Sequence, residues 1–235
     1  MPKTSTFYFP THDISNDRIK LTPFNPDHHG PTFIHHASKA PEIFSHMSIN
    51  PWNSLSDLQS AFYDSHDRHI LSYANPESFA YAIIDKTKPP SSDDAEGELA
   101  GTISYIKTSP THLSTELGFV VVLPPYQRSH VAANAVGLLL LNAFAAKEEA
   151  GLDWGGTMNP GSVRLAEKME FERIGVTKWH MRFNKGAING KVGHGRGLPP
   201  GSDPEDLWRD TVELSLSWED WLGGGEEKAR SVMDR

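Results

Sequence analysis

The segment 131–146 is the most apolar stretch of the chain, and it constrains the fold more than any other feature. Apolar residues recur at helical spacing from Val131 to Leu139, and most of the residues between them are apolar too. A helix that is apolar almost all round must be buried on most sides. Because the stretch is too short to cross a bilayer and contains two asparagines, we expect it to pack against a sheet inside a globular domain.

Segments with the periodicity of strands lie on both sides of this helix. Residues 116–123 (ELGFVVVL) indicate a strand that is buried on both faces and ends at Pro124 and Pro125. Before it, 79–84 and 99–107 indicate two strands that pair as a hairpin. The order of strands and helices along the chain predicts a mixed α/β or α+β fold. The remaining predicted strands are 18–22, 152–158, 172–183 and 210–218, and the predicted helices are 31–47, one that starts at Ser54, 129–150 and 162–169.

The 235 residues fit one domain with decorations. We expect this domain to cover 18–222, after a flexible N-terminal arm over 1–17 and before a C-terminal tail over 223–235. A polar, proline-containing loop at about 86–97 is expected to be a mobile insertion. A second insertion, over 186–206, is rich in Gly, Pro and basic residues.

Composition excludes several classes of function. The chain has no cysteine, which excludes disulfides, thiolate zinc sites and a cysteine nucleophile. Its net charge of -8 leaves no basic face to replace phosphate counterions, so nucleic acid is not an expected partner. The N-terminus has no apolar core of signal-peptide length, so we expect a cytoplasmic or nuclear protein without a membrane partner.

The turn between the strand 116–123 and the long helix is the first feature that points to a ligand. A strand-to-helix turn presents unpaired backbone N–H groups and the positive end of the helix dipole. Such a turn is suited to an anion such as a pyrophosphate. Arg128 lies in the turn, and a guanidinium group matches a phosphate in geometry.

Two motifs make the chain similar to a known family. Residues 127–132 read QRSHVA, and residues 159–171 read NPGSVRLAEKMEF. The block 116–171 resembles motifs A and B of the GNAT superfamily of N-acetyltransferases. It is most similar to the RimJ/RimL-like branch. In the superfamily the first segment usually reads Gln/Arg-x-x-Gly-x-Gly/Ala, one RimJ/RimL-like subgroup has QRTRAA there, and the second segment reads NxxSxxxxEKLGF. In this family the first motif holds the pyrophosphate of CoA, and the resemblance extends over most of the chain.

The resemblance implies a fold and a reaction. The implied fold is α+β, with a central twisted, mostly antiparallel sheet that is flanked by helices and has splayed strands at the CoA site. The implied reaction transfers the acetyl group of acetyl-CoA, by direct attack and without a metal, to a primary amine. The acceptor is a small molecule or a protein N-terminus, and a homodimer is a further implication.

The resemblance also implies roles for individual residues, each with a structural alternative. Glu116 is a base, directly or through water, or else a solvated or ion-paired carboxylate at the rim of the site. Ser162 protonates the CoA thiolate, or it caps its helix as Asn159 also can. The residues implied in substrate binding are Trp52, His180 and Arg182, and the last two have the alternative of ordinary exposed strand positions. The residues implied in CoA binding are Val121, Val122, Gln127, Arg128, Ser129, His130, Val131, Ala132 and Asn159.

The substitutions at two family glycines affect this interpretation. His130 stands at one such position, where a basic side chain is expected to touch phosphate directly, and Glu170 stands at the other. They leave two alternatives open: a GNAT-like protein that binds a ligand without acetyl transfer, and a CoA-independent reaction in secondary metabolism.

Two other patterns are weaker indications of chemistry. Among the twelve histidines, His66 and His69 have helical spacing, but no carboxylate-rich motif accompanies them, so we expect no metal. The glycine-rich stretch 190–197 lacks the spacing of a phosphate-binding loop. We interpret it as a flexible surface loop that can cover the acceptor site.

Overall fold

The computed structural model describes residues 5–64, 70–145, 159–184, 191 and 193–235, and the backbone of 151–155. Within these residues, eight strands form one sheet in the order β1-β2-β3-β4-β5-β6-β8-β7. Only the β5–β6 pair is parallel. The strands are β1 Ile14–Ser15, β2 Ile19–Pro23, β3 Phe79–Asp85, β4 Glu98–Ser109, β5 Ser114–Val122, β6 Gly151–Gly155, β7 Glu172–Phe183 and β8 Leu207–Leu216.

Helices flank the sheet, so the α+β prediction of a mostly antiparallel sheet flanked by helices is confirmed. The longest helix crosses β1 to β5, as its apolar pattern predicted. Short 3₁₀ turns lie at Pro41–Phe44 and Pro124–Tyr126. The helices are α1 Gly30–Ala37, α2 Leu55–Tyr63, α3 Val131–Ala145, α4 Pro160–Lys168, the short α5 Trp218–Asp220 and α6 Glu226–Met233.

Strands β5 and β6 separate in the middle of the sheet, as predicted. They pair only at Ser114–Glu116, opposite Gly151–Asp153. In the described part of the chain, β5 from Leu117 to Val122 has no strand partner on that side, while β6 continues along β8. The prediction that β5 is buried on both faces is wrong: only Leu117 and Val121 are buried from Glu116 to Val122. The open edge of β5 explains the difference.

The C-terminal segment is part of the domain, which corrects the prediction of a tail over 223–235. Residues Glu226–Met233 form α6, which packs on α3. The buried residues of α6 recur at helical spacing and are Ala229, Val232 and Met233. Gly137 in α3 allows this approach, because a Cβ at that position would overlap the side chain of Met233.

The predicted N-terminal arm also packs against the domain, so that prediction is wrong for residues 5–17. Ile14–Ser15 pair with β2 as the first strand. The ring of Phe7 lies parallel to that of Tyr105, with 6.2 Å between centroids, and 5.5 Å from that of Phe79. These contacts bury apolar surface, which explains why the segment is ordered on the sheet.

The loop between β3 and β4 is folded against β2, so the prediction of a mobile insertion over 86–97 is wrong. Lys20, which is 8% exposed, places its Nζ 2.7 Å from Asp94 Oδ2 and 2.8 Å from Glu96 Oε1. The main-chain oxygen of Asp93 lies 2.7 Å from His28 Nε2. A buried ammonium group needs such partners, and the loop supplies them.

Candidate active site

A cleft of about 970 Å³ opens where β5 leaves β6. Residues 120–122 of β5 and the turn 126–130 line one part of it. The first turns of α3 and α4 line another, and residues from 42 to 46 form a further wall. The first turn of a helix has N–H groups without intrahelical acceptors and carries partial positive charge. Two such turns at one cleft create a site that favours an anion.

The turn before α3 is built by its own side chains. Ser129 Oγ donates to the main-chain oxygen of Tyr126 and accepts the N–H of Val131 at 3.3 Å. Gln127 Nε2 donates to the main-chain oxygen of Val122 at 3.0 Å. Arg128 has a left-handed backbone, with φ of +59°, and its exposed side chain lines the cleft. A non-glycine residue in this conformation is uncommon and costs about 1 kcal/mol or more, which marks the position as constrained.

The His130 side chain lies beside Asp85. It is 10% exposed, and its Nε2 lies 3.2 Å from Asp85 Oδ1 without a hydrogen bond. His130 also lines the cleft, so its direct contact with phosphate stays a prediction. Val131 is fully buried and does not line the cleft, although the other predicted CoA-binding residues do.

Helix α4 presents a polar face to the cleft. Asn159 is its N-cap, with Oδ1 accepting the N–H of Gly161 at 2.9 Å. Ser162 lies in the first turn and lines the cleft. After α4, Glu170 adopts φ of +67°, the conformation that favours glycine, and pairs with Lys228 of α6 at 2.8 Å. The substitution of the family glycine therefore keeps the left-handed turn.

The charge of the cleft is opposite to that of the whole chain. The basic residues that line it come from the turn, from α4 and from the segment that follows α6, and they are Arg128, Arg164, Lys168 and Arg235. Among the described residues the one acidic lining residue is Glu42. In a chain with a net charge of -8, this concentration of positive charge indicates an anionic ligand.

Glu116 lies at the point where β5 and β6 separate. It is the last residue of β5 that pairs with β6. Its Oε2 lies 2.7 Å from Lys107 Nζ, and its side chain is 12% exposed. Glu116 is not among the residues that line the cleft. The carboxylate already has a cationic partner, which matches the ion-paired alternative.

The three residues predicted to bind substrate are not brought together at the cleft. Trp52 is buried in the core, with ring centroids 5.9 Å from Phe33 and 5.6 Å from Phe44, so that prediction is wrong. His180 and Arg182 lie on the edge strand β7. His180 Nδ1 is 2.7 Å from Thr211 Oγ1. Arg182 Nε and Nη2 both donate to Asp206 Oδ2, at 2.9 Å and 2.6 Å.

The wall from 42 to 46 is a site feature that the sequence did not reveal. Two buried cations hold it through its main-chain oxygens. Lys191 Nζ donates to the carbonyls of Phe44 at 2.9 Å and Met47 at 3.0 Å, and also to that of Ile49. Arg209 donates to the carbonyl of His46. Burial lowers the pKa of Lys191 to about 8 and also lowers that of Arg209.

His46 is the imidazole on this wall. Its ring is half-buried and lines the cleft, and its Nδ1 is shielded from solvent without a hydrogen-bond partner in the described structure. Burial, and then the charge of Arg209, lower the pKa of His46. The ring is therefore neutral at neutral pH and can accept a proton.

No metal site is evident in the part of the chain that the structure describes. The described residues contain no group of three or more His, Asp or Glu side chains that could hold a metal ion. His66 and His69 lie outside these residues. None of the described helices is both long enough and apolar enough to span a bilayer.

Comparisons with known proteins agree on the architecture. No protein-family model matches the sequence, and no curated protein matches it. A GCN5-related N-acetyltransferase from Brucella melitensis has a similar structure, with a TM-score of 0.68 at 19% identity, covering 95% of this chain and 86% of that one. RimJ from Mycobacterium smegmatis, in complex with CoA-disulfide, gives a TM-score of 0.64 at 13% identity, covering 91% and 88%.

Spermidine N-acetyltransferase from Vibrio cholerae, in complex with CoA and spermine, is also similar. Its TM-score is 0.59 at 17% identity, and the alignment covers 88% of this chain and 99% of that one. At such identities the likeness establishes the fold. The chain has the GNAT acetyltransferase fold that its motifs predicted.

Proposed function

We propose that this chain is an acetyl-CoA-dependent N-acetyltransferase of the RimJ/RimL-like branch. The acceptor is a primary amine of a small molecule or of a protein N-terminus. The observation that carries the proposal is the basic cleft between the first turns of α3 and α4, at the open edge of β5. CoA is a large molecule that carries several phosphate negative charges, which fits a cleft of about 970 Å³ with this charge.

The residues of the cleft fit the parts of this co-substrate. Acetyl-CoA supplies the acetyl group as an activated thioester. Arg128 and the amides at the start of α3 bind the pyrophosphate. The open edge of β5 at Val121 and Val122 offers backbone groups to the pantetheine arm and to the acetyl carbonyl. Asn159 holds the start of α4, and Ser162 supplies a proton to the sulfur that leaves.

The structural neighbours support the choice of ligands. One is a complex with CoA and spermine, and another is a complex with CoA-disulfide. Spermine carries primary amines, the group that we propose as the acceptor. An amine panel identifies the acceptor among such amines.

Binding of acetyl-CoA is the first test. Because a ligand that binds only the native state stabilises it, acetyl-CoA at tens of micromolar should raise the melting temperature. Arg128→Ala should weaken binding about tenfold or more, since a hydrogen bond to a charged group contributes about 1.5–3 kcal/mol. Arg173→Ala is the matched control, because Arg173 pairs with Glu167 on the surface and does not line the cleft. An unchanged melting temperature with acetyl-CoA would refute the proposal.

Acetyl transfer is the second test. Thiol release from acetyl-CoA is measured over a panel of small amines and peptides with free N-termini. Ser162→Ala should lower kcat without unfolding the protein, while Ser60→Ala, an exposed position in α2, should not. Glu116→Gln tests whether Glu116 acts as a base or only pairs with Lys107. Full activity in this variant would refute the base role. CoA binding without thiol release from any amine would favour the alternative of a binding protein.

A further inference from the structure

The reaction needs a group in the cleft that takes up the proton lost by the amine substrate. When an amine nitrogen bonds to the acetyl carbon, it becomes acidic and must lose a proton. Glu116 is the acceptor that the motifs suggest, but its carboxylate is paired with Lys107 and does not line the cleft. A lining residue that is neutral and basic would fit the requirement better.

The wall from 42 to 46 faces the open edge of β5. Both the wall and residues 120–122 line the cleft, and the 3₁₀ turn Pro41–Phe44 packs next to β5. Two lining residues of this wall can titrate, Glu42 and His46. His46 is the more strongly constrained of the two, because Arg209 anchors its carbonyl while Lys191 anchors the carbonyls of Phe44 and Met47.

We propose that His46 is the catalytic base that removes the proton from the attacking amine. The inference rests on the acetyl transfer proposed above. The C–N bond forms as the amine attacks the acetyl carbon, and the C–S bond breaks. The amine proton passes to His46 Nε2, on the side of the ring opposite the shielded Nδ1. Ser162 gives its proton to the thiolate and regains one from solvent, so atoms and charges balance.

The surroundings of His46 keep its ring in the basic form. The cation that acts on the ring is Arg209 on β8, whose charge lowers the pKa of His46. Lys191, after β7, bonds the carbonyls of Phe44 and Met47, and the basic residues that line the same cleft are Arg128, Arg164, Lys168 and Arg235. Glu42 is the acidic lining residue on its own segment. Protonation would place another positive charge beside Arg209, which drives the proton on to solvent after transfer.

The test compares His46→Gln with His112→Gln, an exposed histidine in the β4–β5 turn. His46→Gln should lower kcat about 100-fold or more, the ordinary scale of general base catalysis. It should also remove the ascending limb of the pH profile of kcat/KM that lies below pH 6.5. Its affinity for CoA and its melting temperature should match the wild type, because the bond from Arg209 is to the main chain. His112→Gln should behave as the wild type.

Several results would overturn the proposal. If His46→Gln keeps the wild-type kcat and the acidic limb, while Glu116→Gln loses both, then Glu116 is the base. If the wild type binds acetyl-CoA but releases no thiol with any amine, the proposed function fails and the base role falls with it. If His46→Gln unfolds, the base role is tested instead by adding imidazole to His46→Ala. Restored turnover supports the role, and the absence of rescue overturns it.

Discussion

The buried ring of His29 makes the fold sensitive to acid, with a magnitude that can be calculated. His29 is 3% exposed at the start of α1, and its Nδ1 accepts the N–H of Asn25 at 3.0 Å. Protonation would place a hydrogen on Nδ1 and break this bond. Burial, together with the neighbouring His28, lowers the pKa of His29 from 6.5 to about 4.

The sign of the effect follows from proton binding. Between pH 6.5 and 4 the unfolded chain binds a proton at His29 that the folded chain excludes. The free energy of unfolding therefore falls as the pH falls through this range, and it does not change at His29 above it. A tenfold difference in proton affinity corresponds to about 1.4 kcal/mol. The loss is about 1.4 kcal/mol at pH 5.5 and about 3 kcal/mol at pH 4.

Urea unfolding at pH 7, 5.5 and 4.5 measures this loss. His29→Asn keeps an acceptor near the position of Nδ1 but does not titrate. The difference in unfolding free energy between wild type and variant therefore separates the effect of the His29 ring from that of the carboxylates. His35→Asn, at an exposed position on α1, is the matched control. A difference that stays constant from pH 7 to 4.5, or a His29 ring that titrates near 6.5 by NMR, would refute the reasoning.

Two further predictions concern α6 and the buried cation of the cleft wall. Gly137→Ala should destabilise the protein by about 1–3 kcal/mol through overlap with Met233. In a Met233→Ala background the same change should instead stabilise by up to about 1 kcal/mol, from helix propensity; the same sign in both backgrounds would contradict the α3–α6 contact. Lys191 has a folded pKa of about 8 against 10.5 unfolded, so the unfolded chain binds more protons between these values. From pH 7.5 to 9.5 the wild type should therefore gain about 2 kcal/mol in unfolding free energy relative to Lys191→Met; parallel pH curves in urea unfolding would contradict this.

The central elements of the fold could be predicted because their sequences carry local signals. The apolar composition of α3 and the apolar segments that form β3 and β4 match the burial of these elements, and β7 begins and ends where its pattern predicted. The capping box of Ser54 and Asp57 is likewise local, and both of its hydrogen bonds form. The sequence of each of these segments is therefore sufficient to predict its secondary structure.

The C-terminal and N-terminal segments could not be predicted in the same way. Half of the residues of helix α6 are charged, and only a few small and apolar residues at helical spacing indicate its buried face. Its stability depends on the space that Gly137 leaves, which no local pattern reveals. The arm holds Phe7 against the sheet through a contact with Tyr105 that is distant in sequence.

In the candidate site too, the parts with local sequence signals could be predicted and the parts that depend on distant contacts could not. The turn 126–130 and the start of α4 follow from motifs, and the spacing of Arg164 and Lys168 could also have indicated a helix face that lines the cleft. The wall that carries His46 depends on Lys191 and Arg209, which lie far along the chain from it. The role of Trp52 could not be predicted, because an aromatic residue after a proline gives no sign of the core cluster that it joins.

An NMR titration with acetyl-CoA tests whether the cleft binds the co-substrate. We expect saturable one-to-one binding, with the amide signals of 120–122, 128–133 and 161–162 shifting together, and with Arg128→Ala weakening the binding about tenfold or more. Amides on the exposed face of α2 should not move. The absence of any shift at millimolar acetyl-CoA, or shifts confined to residues outside the cleft, would contradict the account.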